Sequence, residues 1–298
     1  MISVCIPVYN YDACPLARSV KAQAEGLDEV VELVCIDDHS DDVWRERNRP
    51  LGELGTYVEL EENVGRARIR NMFLDHTKGE YLLFLDVDSE LPEGFLARYA
   101  EVLRDRPAVV VGGRVYDRRG DNQEHRLRYL YGTQVECKPV DWRRSHPYQS
   151  FMSNNFVVRR DVLQQCPFDE RISRYGHEDT LFGYRLEQNG IVVTHIDNPV
   201  VNGEVEDNAD FLNKTVEAVE NLAEIDSTLA DDAVFGHRVR LVGTYRRLRQ
   251  WGLTAPVSWL HTLLRRPLES HFVSGNAVSV AQLNFYKLGL FIKAKNKQ

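Results

Sequence analysis

Short apolar runs alternate with amphipathic stretches through the first hundred residues. The runs Ile2–Tyr9, Val30–Ile36, Thr56–Leu60 and Tyr81–Leu85 have strand length and β-branched or aromatic content. Between them, Pro15–Ala24, Asp41–Arg47 and Val64–His76 read as helices, the last with Ile69, Met72 and Phe73 on one side, and Phe95–Leu103 follows. Repeated β-α units with short links predict an α/β domain: a mostly parallel sheet with helices on both faces. A further strand is predicted over Ala108–Val115. Residues 116–150 lose periodicity and become rich in Arg, Asp, Gln, His and Tyr, as expected of a long polar loop. Strands at Asn155–Val158 and Ile191–Ile196 and helices at Thr180–Gln188 and Ala209–Ile225 restore the pattern, and everything beyond His237 reads as helical.

The chain has 298 residues, 43% of them hydrophobic, and no apolar run of membrane-spanning length. Its start reads as a strand with neither a basic n-region nor a cleavage site, so no signal peptide is expected. The five cysteines show no metal-ligand spacing, and Cys5 and Cys35 sit inside apolar runs, which favours a reducing, cytoplasmic compartment. The net charge of −8 is unevenly spread: from His237 to Gln298, eleven Lys and Arg meet one acid, Glu269, while the other 26 basic residues are outnumbered by 44 acids.

The candidate chemistry lies at strand ends. The fourth run stops at Asp86-Val87-Asp88, and residues i and i+2 of an extended segment point to one side, so both carboxylates can converge. Tyr9-Asn10, Asp37-Asp38 and Glu61-Glu62-Asn63 end the other three runs. In a parallel sheet all four ends share one edge, where α/β proteins bind ligands. Acids gathered there require a cation or hydrogen-bond donors, and hard oxygen pairs suit Mg²⁺ or Mn²⁺.

The segments Ser3–Asn10, Val34–Ser40, Glu62–Gly65 with Arg70-Asn71, and Asp86–Asp88 closely resemble the nucleotide-sugar-binding half of family 2 glycosyltransferases. Phe168-Asp169-Glu170 and Tyr175–Asp179 resemble that family's acceptor half, so the likeness covers roughly residues 1–215 with the motifs in order. The resemblance implies a GT-A fold, with a nucleotide-sugar-binding half over 1–115, an acceptor half over 116–215 and a helical extension over 216–298. It implies inverting, metal-dependent sugar transfer from a nucleotide sugar, with UDP-sugar expected, to a saccharide or lipid-linked saccharide in cell-surface polysaccharide synthesis.

Roles follow on the matching positions. Pro7 and Tyr9 would face the base, and Asp38 would accept from its imide N–H, the plainer alternative being a helix cap. Asn63 and Gly65 would form the turn beneath the nucleotide. Arg70 would pair with the acids or the diphosphate, while Arg66 and Arg68 read as solvated. Asn155, in Ser153-Asn154-Asn155, would line the donor sugar. Asp86 and Asp88 would hold Mn²⁺ or Mg²⁺, Asp86 also touching the ribose. Asn202 stands where relatives often carry a His ligand and would be a weak third ligand. Asp179 would be the general base, with Glu178 orienting the acceptor or supporting the fold; the alternative is a pair of ordinary first-turn acids, and a helix N-terminus would lower the basicity of Asp179. His177 replaces a residue that is frequently small, and Trp142 and Tyr148 either stack on a sugar or pack their loop. His195, in an apolar run, reads as structural.

The basic tail, with its apolar helical faces, suits an anionic membrane surface at the cytoplasmic side, or else internal packing or a homodimer; no nucleic-acid module is present. Two rival functions remain at this level. A nucleotidyltransferase would need a Gly-rich basic loop after the first strand, which Tyr9–Ala13 does not supply. A non-catalytic nucleotide-sugar-binding module anchored at a membrane would share the binding residues but not turnover.

Overall fold

The computed structural model describes residues 1–172, 174–229 and 232–297. In chain order the strands are β1 (Ile2–Val8), β2 (Val31–Asp37), β3 (Thr56–Glu59), β4 (Tyr81–Leu85), β5 (Ser89–Glu90), β6 (Val109–Val111), β7 (Arg114–Tyr116), β8 (Asn155–Arg159), β9 (Val193–His195) and β10 (Val200–Asn202). The helices are α1 (Cys14–Ala24), α2 (Asp42–Asn48), α3 (Leu51–Leu54), α4 (Gly65–His76), α5 (Phe95–Val102), α6 (Arg126–Tyr131) and α7 (Val140–Ser145). They continue with α8 (Arg160–Gln165), α9 (Glu178–Gln188), α10 (Asn208–Thr228), α11 (Ala233–Arg238), α12 (Arg240–Gln250), α13 (Thr254–Ser274) and α14 (Val280–Lys295).

The chain forms two compact units. The first comprises residues 1–116, 137–173 and 178–203, and the second residues 117–136, 174–177 and 204–298. The boundary expected after residue 215 falls inside α10, and the supposed polar loop 116–150 instead contributes α6 to the second unit and α7 to the first.

The first unit is built on a seven-stranded sheet in the order β3-β2-β1-β4-β8-β6-β9. Strands β1 to β4 are mutually parallel, so their four polar ends do share one edge. Strand β8 alone runs antiparallel to its neighbours β4 and β6. That reversal decides the site: the beginning of β8, not its end, is delivered to the edge where β4 gives way to Asp86. Alternate side chains fill both faces. Val4, Ile6, Val8, Leu83 and Leu85 pack with Leu16, Val20, Phe95 and Tyr99. Cys5, Ile36, Leu82 and Phe84 pack with Ile69, Phe73, Phe156 and Phe182 on the other side.

The single strand expected over 108–115 is broken in two. A Cβ on Gly112 would lie within 2.5 Å of the Asn155 amide nitrogen and the Tyr99 hydroxyl, and Gly113 has φ +95°. The backbone turns there and carries β7 into a second, three-stranded sheet, β5-β10-β7.

The second unit is helical. Its helices start on side-chain caps where the sequence provides them: Asp207 accepts from the Ala209 and Asp210 amides, and Ser279 with Gln282 forms a capping box. All five cysteines are free thiols. Among the described residues, no helix is long and apolar enough to cross a membrane.

Candidate active site

The carboxyl edge of β1 to β4 carries the expected nucleotide-side residues. Pro7 lies in β1, half-buried, and Tyr9 follows it, 55% exposed. Asn10, at φ +49°, fixes this loop by accepting from the Asp41 amide at 2.8 Å. Asp38 is buried. Its carboxylate accepts from the Val64 and Gly65 amides at 2.7 and 3.1 Å, and its carbonyl accepts from the Asn63 side chain at 3.0 Å. It therefore caps α4, from more than twenty residues upstream, rather than the helix that follows it. Gly65 has φ +81°, the left-handed conformation that glycine adopts without strain. Burial pushes the Asp38 carboxyl up, against the two amide bonds. Each carboxylate oxygen keeps a second lone pair for a further donor.

Helix α4 then aims two arginines at the acids. Arg70 is almost fully buried; its guanidinium meets Asp86 at 3.1 Å and Glu178 at 3.7 Å. Arg66, one turn earlier on the same face, donates to Glu178 at 2.8 Å and reaches Asp86 at 3.5 Å. The expectation that Arg66 is solvated does not survive: its i, i+4 spacing to Arg70 was the signal for a shared role. Burial alone would push both Asp86 and Glu178 up, but the two guanidinium charges outweigh it and hold both carboxyls below their ordinary range.

Asp179 goes the other way. Burial and the adjacent Glu178 charge push it up to about 7, although the Thr180 amide donates to it at 2.6 Å. The helix N-terminus was expected to lower its basicity; desolvation and the like charge prevail instead. Two consecutive carboxylates are thus tuned apart, one held ionised by arginines and one poised near neutrality. The residue before them, His177, has φ +67°, an uncommon conformation for a non-glycine.

Asp88 lies beyond β4 with its carboxyl pushed up by burial and by Asp86. Asn202 is buried and donates its amide N–H to Asp88 at 2.6 Å, so here it is a support for that carboxylate and not a third oxygen. Asp86, expected to share the cation, has both oxygens turned to Arg70 and Arg66. Arg114 adds a third positive charge that draws both acids down. Among the described residues, no group of three or more His, Cys, Asp and Glu converges on a point. Among the described residues the chain thus offers Asp88, supported by Asn202, and no complete ligand set for a cation.

Asn155 does not face a ligand. It is fully buried, accepting from the Tyr99 hydroxyl at 2.7 Å and donating to the Gly113 and Asn198 carbonyls at 2.8 and 2.9 Å. The Asn154 carbonyl accepts from the Asp86 amide at 3.1 Å, while both polar atoms of its buried side chain lack a hydrogen-bond partner. Opposite effects on stability follow. Asn155→Ala is expected to cost about 2–4 kcal/mol, since it breaks three buried hydrogen bonds, whereas Asn154→Ala removes an orphan and is expected to leave stability unchanged or up to ~1 kcal/mol higher. Chemical denaturation of the two variants checks this. Tyr148 packs on the core around Phe182, Trp142 stacks on His146 at 4.2 Å, and His195 is structural as expected, buried, pushed down to about 4 by desolvation and held between Arg143 and the Pro147 carbonyl.

The profile described as Glycosyl transferase family 2 matches residues 3–166, more than half of the chain. The chain belongs to glycosyl transferase family 2. Among curated relatives, an uncharacterized glycosyltransferase, YfnE, of Bacillus subtilis is 25% identical over 242 residues, covering 63% of this chain and 61% of its own. The GalNAc(5)-diNAcBac-PP-undecaprenol beta-1,3-glucosyltransferase of Campylobacter jejuni is 23% identical over 185 residues, covering 61% of this chain and 58% of its own. The chain thus spans less than two thirds of the length of either relative. Among solved structures, the mannosyltransferase PcManGT of Pyrobaculum calidifontis, in complex with GDP-Man and Mn²⁺, superposes with a TM-score of 0.61 at 18% identity over 99% of this chain and 86% of that one. S. aureus TarS 1-349 in complex with UDP-GlcNAc gives 0.53 at 17% identity, over 99% and 90%. The family member's fold is accordingly of the GT-A type: a largely parallel core sheet flanked by helices, with a helical C-terminal region.

Proposed function

We propose that this family 2 member is an inverting glycosyltransferase that moves a sugar from a nucleotide sugar, with UDP-sugar as donor, to a hydroxyl of a saccharide or lipid-linked saccharide in polysaccharide synthesis. The observation that carries the reading is the contrast between Asp179, near 7, and Glu178, held ionised by Arg66 and Arg70. Acid–base work calls for such a pair, because a base titrating near the operating pH is both available and strong enough. Asp179 would take the proton of the acceptor hydroxyl as its oxygen forms a bond to the anomeric carbon. The bond from that carbon to the diphosphate breaks on the opposite side, which inverts the centre. Glu178 anchors the arginines and keeps the helix start in place. Asp38, with Asn63 and Gly65, offers an acceptor to an imide N–H, which favours uracil. The unpartnered amide of Asn154 would meet a hydroxyl of the donor.

A divalent cation, Mn²⁺ or Mg²⁺, would be held by Asp88 with Asn202 supporting it. When bound it supplies positive charge to the leaving diphosphate. Support from relatives is of the same kind: PcManGT carries Mn²⁺ with its donor, and the Campylobacter jejuni relative is named for glucosyl transfer on an undecaprenol-linked glycan.

The test is a thermal-shift series with UDP, GDP and CDP, with and without Mn²⁺, since a ligand that binds the folded chain raises its melting temperature by mass action. UDP with Mn²⁺ is expected to give the largest rise, Asp38→Ala to reduce it, and Asp88→Asn to abolish its dependence on Mn²⁺. No shift with any nucleoside diphosphate would overturn the reading.

A further inference from the structure

We infer that the outward face of α13, with the turn before it, is a docking surface for an anionic lipid bilayer. The inference concerns the second unit alone and does not depend on the assignment of Asp179.

The orientation of α13 is fixed from behind. His261 is buried against α14, where its ring lies 5.6 Å from that of Tyr286 and fills a notch at Gly289; a Cβ there would come within 2.0 Å of the imidazole. Phe272, three turns on and near the same side, is fully buried. At 100° per residue, Trp259 and Leu263, each two positions from His261, must then point away from α14, with Leu260 on the flank beside them. Trp259, Leu260 and Leu263 are 69%, 39% and 61% exposed, and Trp251 in the preceding turn is 66% exposed. Apolar side chains scattered singly over a surface are ordinary, but Trp259, Leu260 and Leu263 exposed at neighbouring positions of one helix, with a second exposed tryptophan in the turn before it, mark an interaction site.

The charge around this face selects its partner. Glu269, the sole acid between His237 and Gln298, is taken up internally by Arg265 at 2.8 Å and the Tyr286 hydroxyl at 2.7 Å. Arg266, five positions after His261, is exposed beside Trp259 on the same helix face, and Arg247 and Arg249 are exposed in the last turn of α12 that leads to Trp251. A second copy docking through the same patch would set these arginines against themselves, because a two-fold interface is self-complementary. A nucleic acid would satisfy the arginines but leave Leu260 and Leu263 against phosphates. A bilayer with anionic headgroups satisfies both: the aliphatics enter the acyl boundary, the indoles sit at headgroup depth and the arginines meet the lipid phosphates.

The test is co-sedimentation of the full chain with vesicles of phosphatidylglycerol and phosphatidylcholine, against vesicles of phosphatidylcholine alone. Binding to the anionic vesicles is expected, weakened by high salt and accompanied by a blue shift of tryptophan emission. Trp259→Ser with Leu263→Ser is expected to lower partitioning by about tenfold or more. Arg247→Glu with Arg266→Glu should do so by about tenfold or more at low salt. Both pairs are at the surface, so the melting temperature and the UDP-induced shift should stay as in the parent chain. The inference is overturned if the chain does not sediment with anionic vesicles, if it binds neutral vesicles equally, if the variants bind undiminished, or if the apolar pair instead converts a dimer to a monomer.

Discussion

Asp179→Asn is expected to lower the transfer rate by about 10²–10⁴-fold while making the protein more stable at pH 8. Both effects come from one carboxyl. Its ordinary value of 3.8 is pushed up to about 7 in the folded chain by burial and by Glu178. Below pH 4 it is protonated whether the chain is folded or not, and its contribution to stability is fully present. As pH rises from 4 through 7, the unfolded chain ionises and the folded one resists, so that contribution is lost. At pH 8 the full penalty applies, with a ceiling of about 4 kcal/mol that partial solvent access reduces. Asparagine has the same shape and no charge to bury, so the variant should gain several degrees at pH 8 and little at pH 4. The parent's kcat/KM should rise with pH to a plateau above about 7. Glu178→Gln removes the like charge and releases the arginines, so it should move that inflection to lower pH. A variant that keeps its rate would remove Asp179 from the chemistry. A variant with an unaltered melting temperature at pH 8 would mean that the carboxyl is not strained by ionisation.

What the sequence disclosed, and what it withheld, divides along physical lines. The β-α alternation was legible because strands buried on both faces read as unbroken apolar runs, and Tyr81–Leu85 is recovered to the residue. The shared edge of Tyr9, Asp38, Asn63 and Asp86 followed from parallel pairing, which short helical crossovers enforce. Strand β8 was found, but its direction is a tertiary property, and direction decides which of three consecutive polar residues faces what. Hence the residue whose backbone carbonyl meets the Asp86 amide is Asn154, while Asn155 is spent on Tyr99, Gly113 and Asn198. Residues 116–150 looked irregular because their helices are short and half-exposed, and because they are divided between two compact units. The value reached by Asp179 was the least legible feature. A first-turn acid lowers its own basicity in an isolated helix, and only burial beside Glu178 reverses the sign.

Arg70→Ala is expected to cost about 3–5 kcal/mol, the penalty for stripping buried carboxylates of their counter-charge, and to lower the melting temperature by roughly 10 °C. Arg70 is 1% exposed and serves Asp86 and Glu178 together, and its guanidinium also donates to the Arg66 carbonyl at 2.9 Å and lies 5.7 Å over the Phe168 ring. Lysine cannot replace it, since an ammonium lacks the planar fork that meets two acids and a carbonyl at once. Arg66, 40% exposed, lies at the solvent end of the same cluster, and Arg66→Ala should cost only about 1 kcal/mol. The decisive measurement is a double-mutant cycle. If Arg70 chiefly compensates Glu178, then Glu178→Gln added to Arg70→Ala should restore part of the lost stability, because the amide needs no counter-charge. If the two losses simply add, the arginine acts through packing against Phe168, and the ionised state of Glu178 rests on Arg66 alone. The same cycle bears on chemistry. With Arg70 gone, Glu178 keeps Arg66 at 2.8 Å and stays charged beside Asp179. Asp179 loses one of the positive charges that draw it down, so its inflection should rise even though no residue touching the acceptor has changed.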